Sequence, residues 1–375
     1  MNDTPAFIPP PYPYDRLDEL KASGERHPGG LVDCSIGTPI DPPPASVVAA
    51  LSTSEAERSY PPSIGTEAFR EEVAAWSHTR FGVQIDPGSE VAAAVGTKEF
   101  VAGLPHWMKL RNPSRDTVLY PAVSYPSYEM GATLAGCRAV AVPVNEDWSI
   151  QLESISEEDA KRALLMWVNT PGNPAGGLDG LEAVAEWGRR NDVPVFSDEC
   201  YCEFTWDGPP RTILSTGSEG VVSVHSLSKR SNLAGLRVGF YSGDADIVNY
   251  LREIRKHAGF MVPGPAQAAA VAALSDQDHV EKQRTTYLAR LERLSKIMAR
   301  LGVEAPLPRG GFYLWVPAPE GDAWLFVRRL IEDLGLLASP GEFYGKAGAE
   351  YVRIAAVQGD ERIALLEERC AANVN

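Results

Sequence analysis

Short apolar runs and longer mixed stretches follow one another along most of this chain. Val91 to Val95, Thr117 to Tyr120, Leu164 to Val168, Val193 to Phe196 and Val221 to Val224 are four or five residues long and uncharged. Runs of that length without charge read as buried strands. Glu67 to Phe81, Leu181 to Arg190, Ile247 to Lys256, Ala266 to Leu274 and Asp278 to Leu301 read as helices, and Asp15 to Ala22 as a short one. Val32 to Ile36 reads as a strand ending in a turn at Gly37-Thr38-Pro39; Gly310 to Trp315 and Tyr351 to Ala355 are further strands. Residues 1 to 13, with Pro9-Pro10-Pro11-Tyr12-Pro13, cannot be helix or central strand and form an extended arm. A helix opens at Gly96-Thr97-Lys98, and Pro105 inside it is expected to kink it.

The chemistry collects where apolar runs end. Val221 to Val224 leads into His225-Ser226-Leu227-Ser228-Lys229-Arg230-Ser231-Asn232, then Gly235-Leu236-Arg237-Val238-Gly239. In α/β sheets ligands sit beyond the carboxyl ends of strands. Lys229 there can form a Schiff base with an aldehyde, with Ser228 beside it, while Ser226 and Arg237 hold a phosphate. The aldehyde that carries a phosphate is pyridoxal 5'-phosphate (PLP). The plain alternative is a lysine in a polar loop among turn-forming Ser and Asn. Gly96, Thr97 and Lys98 open a helix whose backbone N–H groups can meet an anion. Asp198 follows Val193 to Phe196, and Asn173 follows Leu164 to Val168.

Composition narrows the partners. The 375 residues suit two domains, and a net charge of −15 argues against nucleic acid or an anionic membrane. The weakly polar stretch near Ala266 to Leu274 is too short to span a bilayer. The N-terminus shows no basic segment followed by an apolar one. Cys34, Cys137, Cys200, Cys202 and Cys370 are irregularly spaced and read as reduced thiols of a cytoplasmic protein. No histidine–cysteine group has zinc spacing, so no metal is expected.

The pattern Ser226-x-Ser228-Lys229 followed by Gly235-x-Arg237-x-Gly239 resembles the lysine region of the class I/II, fold-type I PLP-dependent aminotransferases, and the resemblance extends over nearly the whole chain. It implies an α/β fold: a large domain with a mostly parallel sheet flanked by helices, at 45–283, and a smaller α+β domain from 284–375 joined by the arm and segment 1–44. Asp198-Glu199-Cys200-Tyr201 matches the family's Asp-Glu-x-Tyr. Asp198 would hold the pyridine nitrogen protonated, and Tyr201 would bond the ring's phenolic oxygen. Asn169 to Gly176 resembles the family's Asn-Pro-Asn-Asn-Pro-Thr-Gly, departing at Thr170, Gly172 and Ala175 but keeping Asn173, a donor to the ring oxygen that also reaches the substrate carboxylate. Tyr125 would stack on the ring, with Tyr128 as the alternative. Arg353 would bind the substrate α-carboxylate and Gly37 would face it, unless Gly37 is a plain turn residue. Tyr60, in Tyr60-x-x-x-x-Gly65, would cross a homodimer interface to the partner's cofactor phosphate, or else is a surface residue.

His225 to Phe240, Asp198 to Tyr201, Arg255 to Gly259 with Val262-Pro263, and Gly96 to Glu99 look like the actinobacterial succinyldiaminopimelate transaminases. This implies N-succinyl-LL-2,6-diaminopimelate as substrate, in lysine and diaminopimelate synthesis, with glutamate and 2-oxoglutarate as the exchange pair. Arg230, Arg255 and Lys256 are candidates for its distal carboxylates. A broader aspartate or aromatic aminotransferase, a PLP-dependent C–S lyase and a PLP-binding regulator are the alternatives. Against the last, the chain has no basic stretch for DNA.

Overall fold

The computed structural model describes residues 7–373. Met1 to Ala6 of the expected arm lie outside them, and residues 7–12 lack regular secondary structure, up to a 3-10 turn at Pro13–Leu17. The twelve strands among the described residues are β1 (Val32–Asp33), β2 (Val91–Ala94), β3 (Thr117–Pro121), β4 (Arg138–Val142), β5 (Ala163–Asn169), β6 (Val195–Asp198), β7 (Val221–Ser226), β8 (Gly239–Gly243), β9 (Tyr313–Pro317), β10 (Leu336–Leu337), β11 (Ser339–Pro340) and β12 (Tyr351–Ala355).

Seven of them form one sheet in the order β2-β8-β7-β6-β5-β3-β4. All pairings are parallel except those of β8, which runs against both β7 and β2. The central strands β5, β6 and β7 are buried along their whole length because both faces are covered, and apolar residues dominate them up to their polar carboxyl ends. On β5, Met166 and Val168 join the cluster with Val73, Trp76 and Val184, whereas Leu165 and Trp167 join the one with Phe100, Leu104 and Val248. The first layer is made by helices Glu67–Phe81, Leu181–Asn191 and Gly264–Ser275; the second by Thr97–Arg111, Ser127–Leu134 and Ala245–His257. The helix at Thr97 runs on through Pro105.

A smaller antiparallel sheet, β11-β12-β9, and the parallel pair β1-β10 pack with helices Asp278–Arg300, Ala323–Leu334 and Asp360–Asn373. Their own cluster includes Leu294, Val327, Leu337, Ile354 and Leu366. A fourth cluster, with Tyr201, Phe204, Tyr287, Phe312 and Tyr313, lies where the two sheets meet. This α/β architecture is the one expected. Among the described residues no helix is long and apolar enough to cross a membrane.

Candidate active site

β7 ends at Ser226, whose Oγ accepts from the Ser228 N–H at 3.2 Å and starts a single helical turn, Leu227–Arg230. That turn sends successive side chains in opposite directions. Lys229 enters a cavity, and its Nζ donates to the Gly37 carbonyl. Arg230 enters the core, where Nε lies 3.2 Å from Glu203 Oε1 and Nη1 donates to the Ala273 carbonyl at 2.6 Å. Burial pushes the Lys229 amine down to about 8, with Arg353 and Arg237 acting in the same direction.

The cavity, of about 480 Å³, opens at the carboxyl ends of β5, β6 and β7, beside the start of the helix at Thr97. Asp198 closes β6; its carboxylate accepts from Tyr128 Oη at 2.8 Å and the Cys200 N–H at 3.2 Å. Burial raises its pKa against those bonds, so a cation facing it would compensate a buried charge. Asn169 closes β5 and steadies its neighbours: Nδ2 donates to the Asp198 carbonyl at 2.8 Å, and Oδ1 accepts from the Asn173 N–H at 2.7 Å. Asn173 Oδ1 in turn accepts from Arg353 Nη1 at 2.7 Å.

Arg353 comes from β12 and is 2% exposed. Its guanidinium lies 4.2 Å from the Tyr313 ring centroid and 4.7 Å from that of Tyr344, and Nη2 donates to the Ser35 carbonyl at 2.5 Å. Its Nε has no partner, and no carboxylate pairs with it among the described residues. A buried cation in that condition is a strong acceptor site for an anion. Tyr201 Oη lies 2.9 Å from Tyr313 Oη.

The opposite corner is built around Arg237 and Gly96. Arg237 has φ of 53°, a conformation that a non-glycine residue adopts at a cost, and its Nη1 donates to the Ala234 carbonyl at 2.9 Å. A Cβ at Gly96, itself at φ 70°, would overlap the Arg237 guanidinium. Only glycine lets the guanidinium and the helix N-terminus close on the same point. Thr97, Lys98, Ser226 and Ser228 line this part of the cavity.

Thus Gly37, Thr97, Lys98, Tyr125, Asn173, Asp198, Tyr201, Ser226, Ser228, Lys229, Arg237 and Arg353 come together on one cavity from across the sequence. Gly96 borders it through Arg237. Tyr60 does not: it is 94% exposed and lines no part of its own chain's cavity. Tyr128, the alternative stacking residue, is buried behind Asp198 against Trp167, which leaves Tyr125 on the cavity wall.

The candidates for distal carboxylates are corrected. Arg230 is taken up by Glu203, Arg255 by Glu99 at 2.5 Å, and Lys256 is an exposed residue 3.9 Å from Glu253; none lines the cavity. Proximity in sequence to the lysine turn misled, because a helical turn points neighbours apart. Tyr12, Tyr14, Asn169, Cys200 and Tyr313 line the cavity without having been singled out. Tyr12 Oη accepts from Lys98 Nζ at 3.0 Å and Tyr14 Oη lies 2.7 Å from Tyr344 Oη, so the segment at Tyr12 to Tyr14, where the proline-rich arm ends, lies at its own chain's site. Asn169 and Cys200 had a signal, as members of the Asn173 and Asp198 segments, and Tyr313 stood in the predicted strand Gly310 to Trp315.

The donor set fits PLP: a buried amine with a lowered pKa, a carboxylate facing the cavity, and an anion cradle that a Cβ would fill. The family model for aminotransferase class I and II matches residues 30–366. The chain is 41% identical over 96% of its length to the 4-dedimethylamino-4-oxo-anhydrotetracycline transaminase OxyQ of Streptomyces rimosus, covering 98% of it. It is 33% identical to the LL-diaminopimelate aminotransferase of Aquifex aeolicus, over 96% of each chain. A solved structure of a probable N-succinyldiaminopimelate aminotransferase from Thermus thermophilus superposes with a TM-score of 0.86 at 30% identity, over 96% of this chain and 99% of that one. This chain belongs to the class I and II aminotransferases and is a PLP-dependent aminotransferase of fold type I.

Proposed function

We propose that this aminotransferase acts on amino acids and 2-oxo acids that carry a second, distal carboxylate, with N-succinyl-LL-2,6-diaminopimelate and the glutamate/2-oxoglutarate pair as its partners. One observation carries the reading. Four cations, Lys98, Lys229, Arg237 and Arg353, line a cavity that has a single carboxylate, Asp198, in a chain of net charge −15. Lys229 Nζ is the covalent attachment point of PLP, and Arg237, with Ser226, Ser228 and the Gly96–Lys98 amides, holds its phosphate. Asp198 faces the pyridine nitrogen, Tyr201 and Asn173 face the ring oxygen, and Tyr125 packs on the ring. Arg353 then takes the α-carboxylate beside Gly37. Lys98 is left over, at the mouth, with Tyr12 its only partner among the described residues, and is the cation for a distal carboxylate.

When bound, PLP supplies the electron sink that makes the α-proton acidic. The chain supplies the rest. Arg353 and Asn173 fix the substrate's orientation, and Lys229 Nζ takes the α-proton and returns it, a task suited to an amine with a pKa of about 8. The active unit in this reading is a homodimer in which each Tyr60 reaches the partner's phosphate; its 94% exposure in the single chain supports that. The division into 1–44, 45–283 and 284–375 belongs to the same reading. It is supported by separate clusters, although Val123 packs with the smaller one.

A second reading follows from the name of the Streptomyces rimosus relative: transfer to a bulky cyclic ketone. The test is a half-reaction screen of the PLP-loaded protein by visible absorbance with glutamate, N-succinyl-diaminopimelate, aspartate, phenylalanine and cystathionine. Conversion by the first two alone, weakened about tenfold or more in Lys98→Gln, is expected. Equal conversion by phenylalanine, or no effect of Lys98→Gln, overturns the acidic-substrate reading. Release of pyruvate from cystathionine would mark a lyase.

A further inference from the structure

Two buried phenols meet where the two sheets join. Tyr201, just after β6, and Tyr313, on β9, bring their hydroxyls to 2.9 Å from each other. A hydroxyl has one proton to give. If Tyr201 gives its proton to the ring oxygen of the cofactor, the bond between the phenols has to be closed by the proton of Tyr313. We infer that Tyr313 is a positioning residue for the reaction: its hydroxyl donates to Tyr201 Oη, directs the Tyr201 proton at the cofactor and strengthens it as a donor. This rests on the placement of Tyr201 proposed above.

The surroundings leave Tyr313 little else to do. Tyr201 is its sole hydrogen-bond partner among the described residues. Its ring is fixed beneath the Arg353 guanidinium at 4.2 Å and packs at 4.8 Å on Phe312 and at 5.6 Å on Tyr201. Its Oη lies against Gly37, where a Cβ would overlap it. The glycine therefore keeps open the place of a hydroxyl as well as a backbone face. A buried hydroxyl in that position must bond or lose its solvation uncompensated, and hydrogen bonds in series polarise one another.

The sign of the effect follows. A donor to the ring oxygen favours the state in which that oxygen holds its full negative charge, with the Lys229 nitrogen that joins the cofactor unprotonated. Weakening the donor raises the pH at which that nitrogen loses its proton. The readout is a pH titration of the visible absorbance of PLP-loaded protein without substrate, beside the dissociation constant for PLP. Tyr313→Phe, which keeps the ring, should raise the midpoint by about half to one pH unit. Tyr201→Phe should raise it further, and Tyr201→Phe/Tyr313→Phe no further than Tyr201→Phe. Gly37→Ala, whose methyl takes the place of the Tyr313 hydroxyl, should shift it in the same direction. An unmoved midpoint in Tyr313→Phe, or shifts that add in the double variant, overturns the inference while the Tyr201 placement stands. An unmoved midpoint in Tyr201→Phe removes that placement and the inference together.

Discussion

Arg353 and Asn173, 180 residues apart, are joined by a hydrogen bond of 2.7 Å from Nη1 to Oδ1. The bond ties β12 of the smaller sheet to the segment after β5 of the larger one. It also uses the one acceptor of Asn173 and leaves its amide nitrogen for the cavity. Arg353→Lys keeps the charge and loses the planar fork. We expect kcat/KM to fall by about a hundredfold, mostly through KM, which is an energetic cost of about 2.7 kcal/mol. The PLP absorbance should stay intact. Steady-state kinetics against glutamate checks this; a loss confined to kcat contradicts the carboxylate role.

Lys229 gives a pH-dependent stability. Its folded pKa, about 8, is below the ordinary lysine value of 10.5. Below about 8 the amine is charged in both states, and the fold carries the burial penalty in full. Between about 8 and 10.5 the unfolded chain binds more protons, so stability rises with pH through that window. In PLP-free protein, Lys229→Met should therefore unfold at higher denaturant than the parent at pH 7, with the difference shrinking toward pH 10. A difference that grows with pH contradicts the burial account.

Tyr60 and Lys229 allow a complementation test of the proposed homodimer. The Tyr60→Ala and Lys229→Ala proteins should each be impaired, Lys229→Ala by about 10²–10⁴-fold. In the proposed homodimer, refolding the two together gives hybrids in which one site has the lysine of one chain and the tyrosine of the other. Activity should return in the mixture. A mixture that stays at the average of its parents would place Tyr60 outside the partner's site.

Glu203 holds Arg230, the buried arginine next to Lys229 in the chain. It accepts from Arg80 Nε at 2.7 Å and lies 3.2 Å from Arg230 Nε. Burial raises its pKa, but Arg230 and Arg80 outweigh that and hold it below the ordinary glutamate value. A lowered carboxylate pKa stabilises the fold above the unfolded value, near 4.5, and the gain is lost as pH falls through the folded value. Glu203→Gln should cost about 3–5 kcal/mol near neutral pH by leaving Arg230 unpaired, and the cost should shrink below pH 4.5. Urea denaturation at pH 7 and pH 4 checks both.

The buried strands were legible because covering both faces of a parallel sheet requires uncharged runs, and β5, β6 and β7 satisfy it. β8 was not, since Gly239-Phe240-Tyr241-Ser242-Gly243 has glycines at both ends and a serine facing Ser223 at 3.0 Å. β4, Arg138–Val142, is an edge strand with half-exposed positions and lacks the same run. Among site residues, those following strands were readable because each strand end needs a polar exit. Tyr12 and Tyr14 were not, because a proline-rich arm has no periodicity that says where it lies.

By itself the sequence determined the central strands β5, β6 and β7 and the polar residues that follow them: Asn173, Asp198 and Lys229 each come after one of these strands. Tertiary structure alone decided which neighbours of those residues take part. It turned Arg230 and Arg255 into the core, brought Tyr313 and Arg353 over from the smaller sheet, and laid Tyr12 beside Lys98. The physical reason is that local pattern fixes which face of an element is apolar, whereas the direction of a polar side chain is set by partners far along the chain. Glu203 claims Arg230 across 27 residues, and Asn173 claims Arg353 across 180.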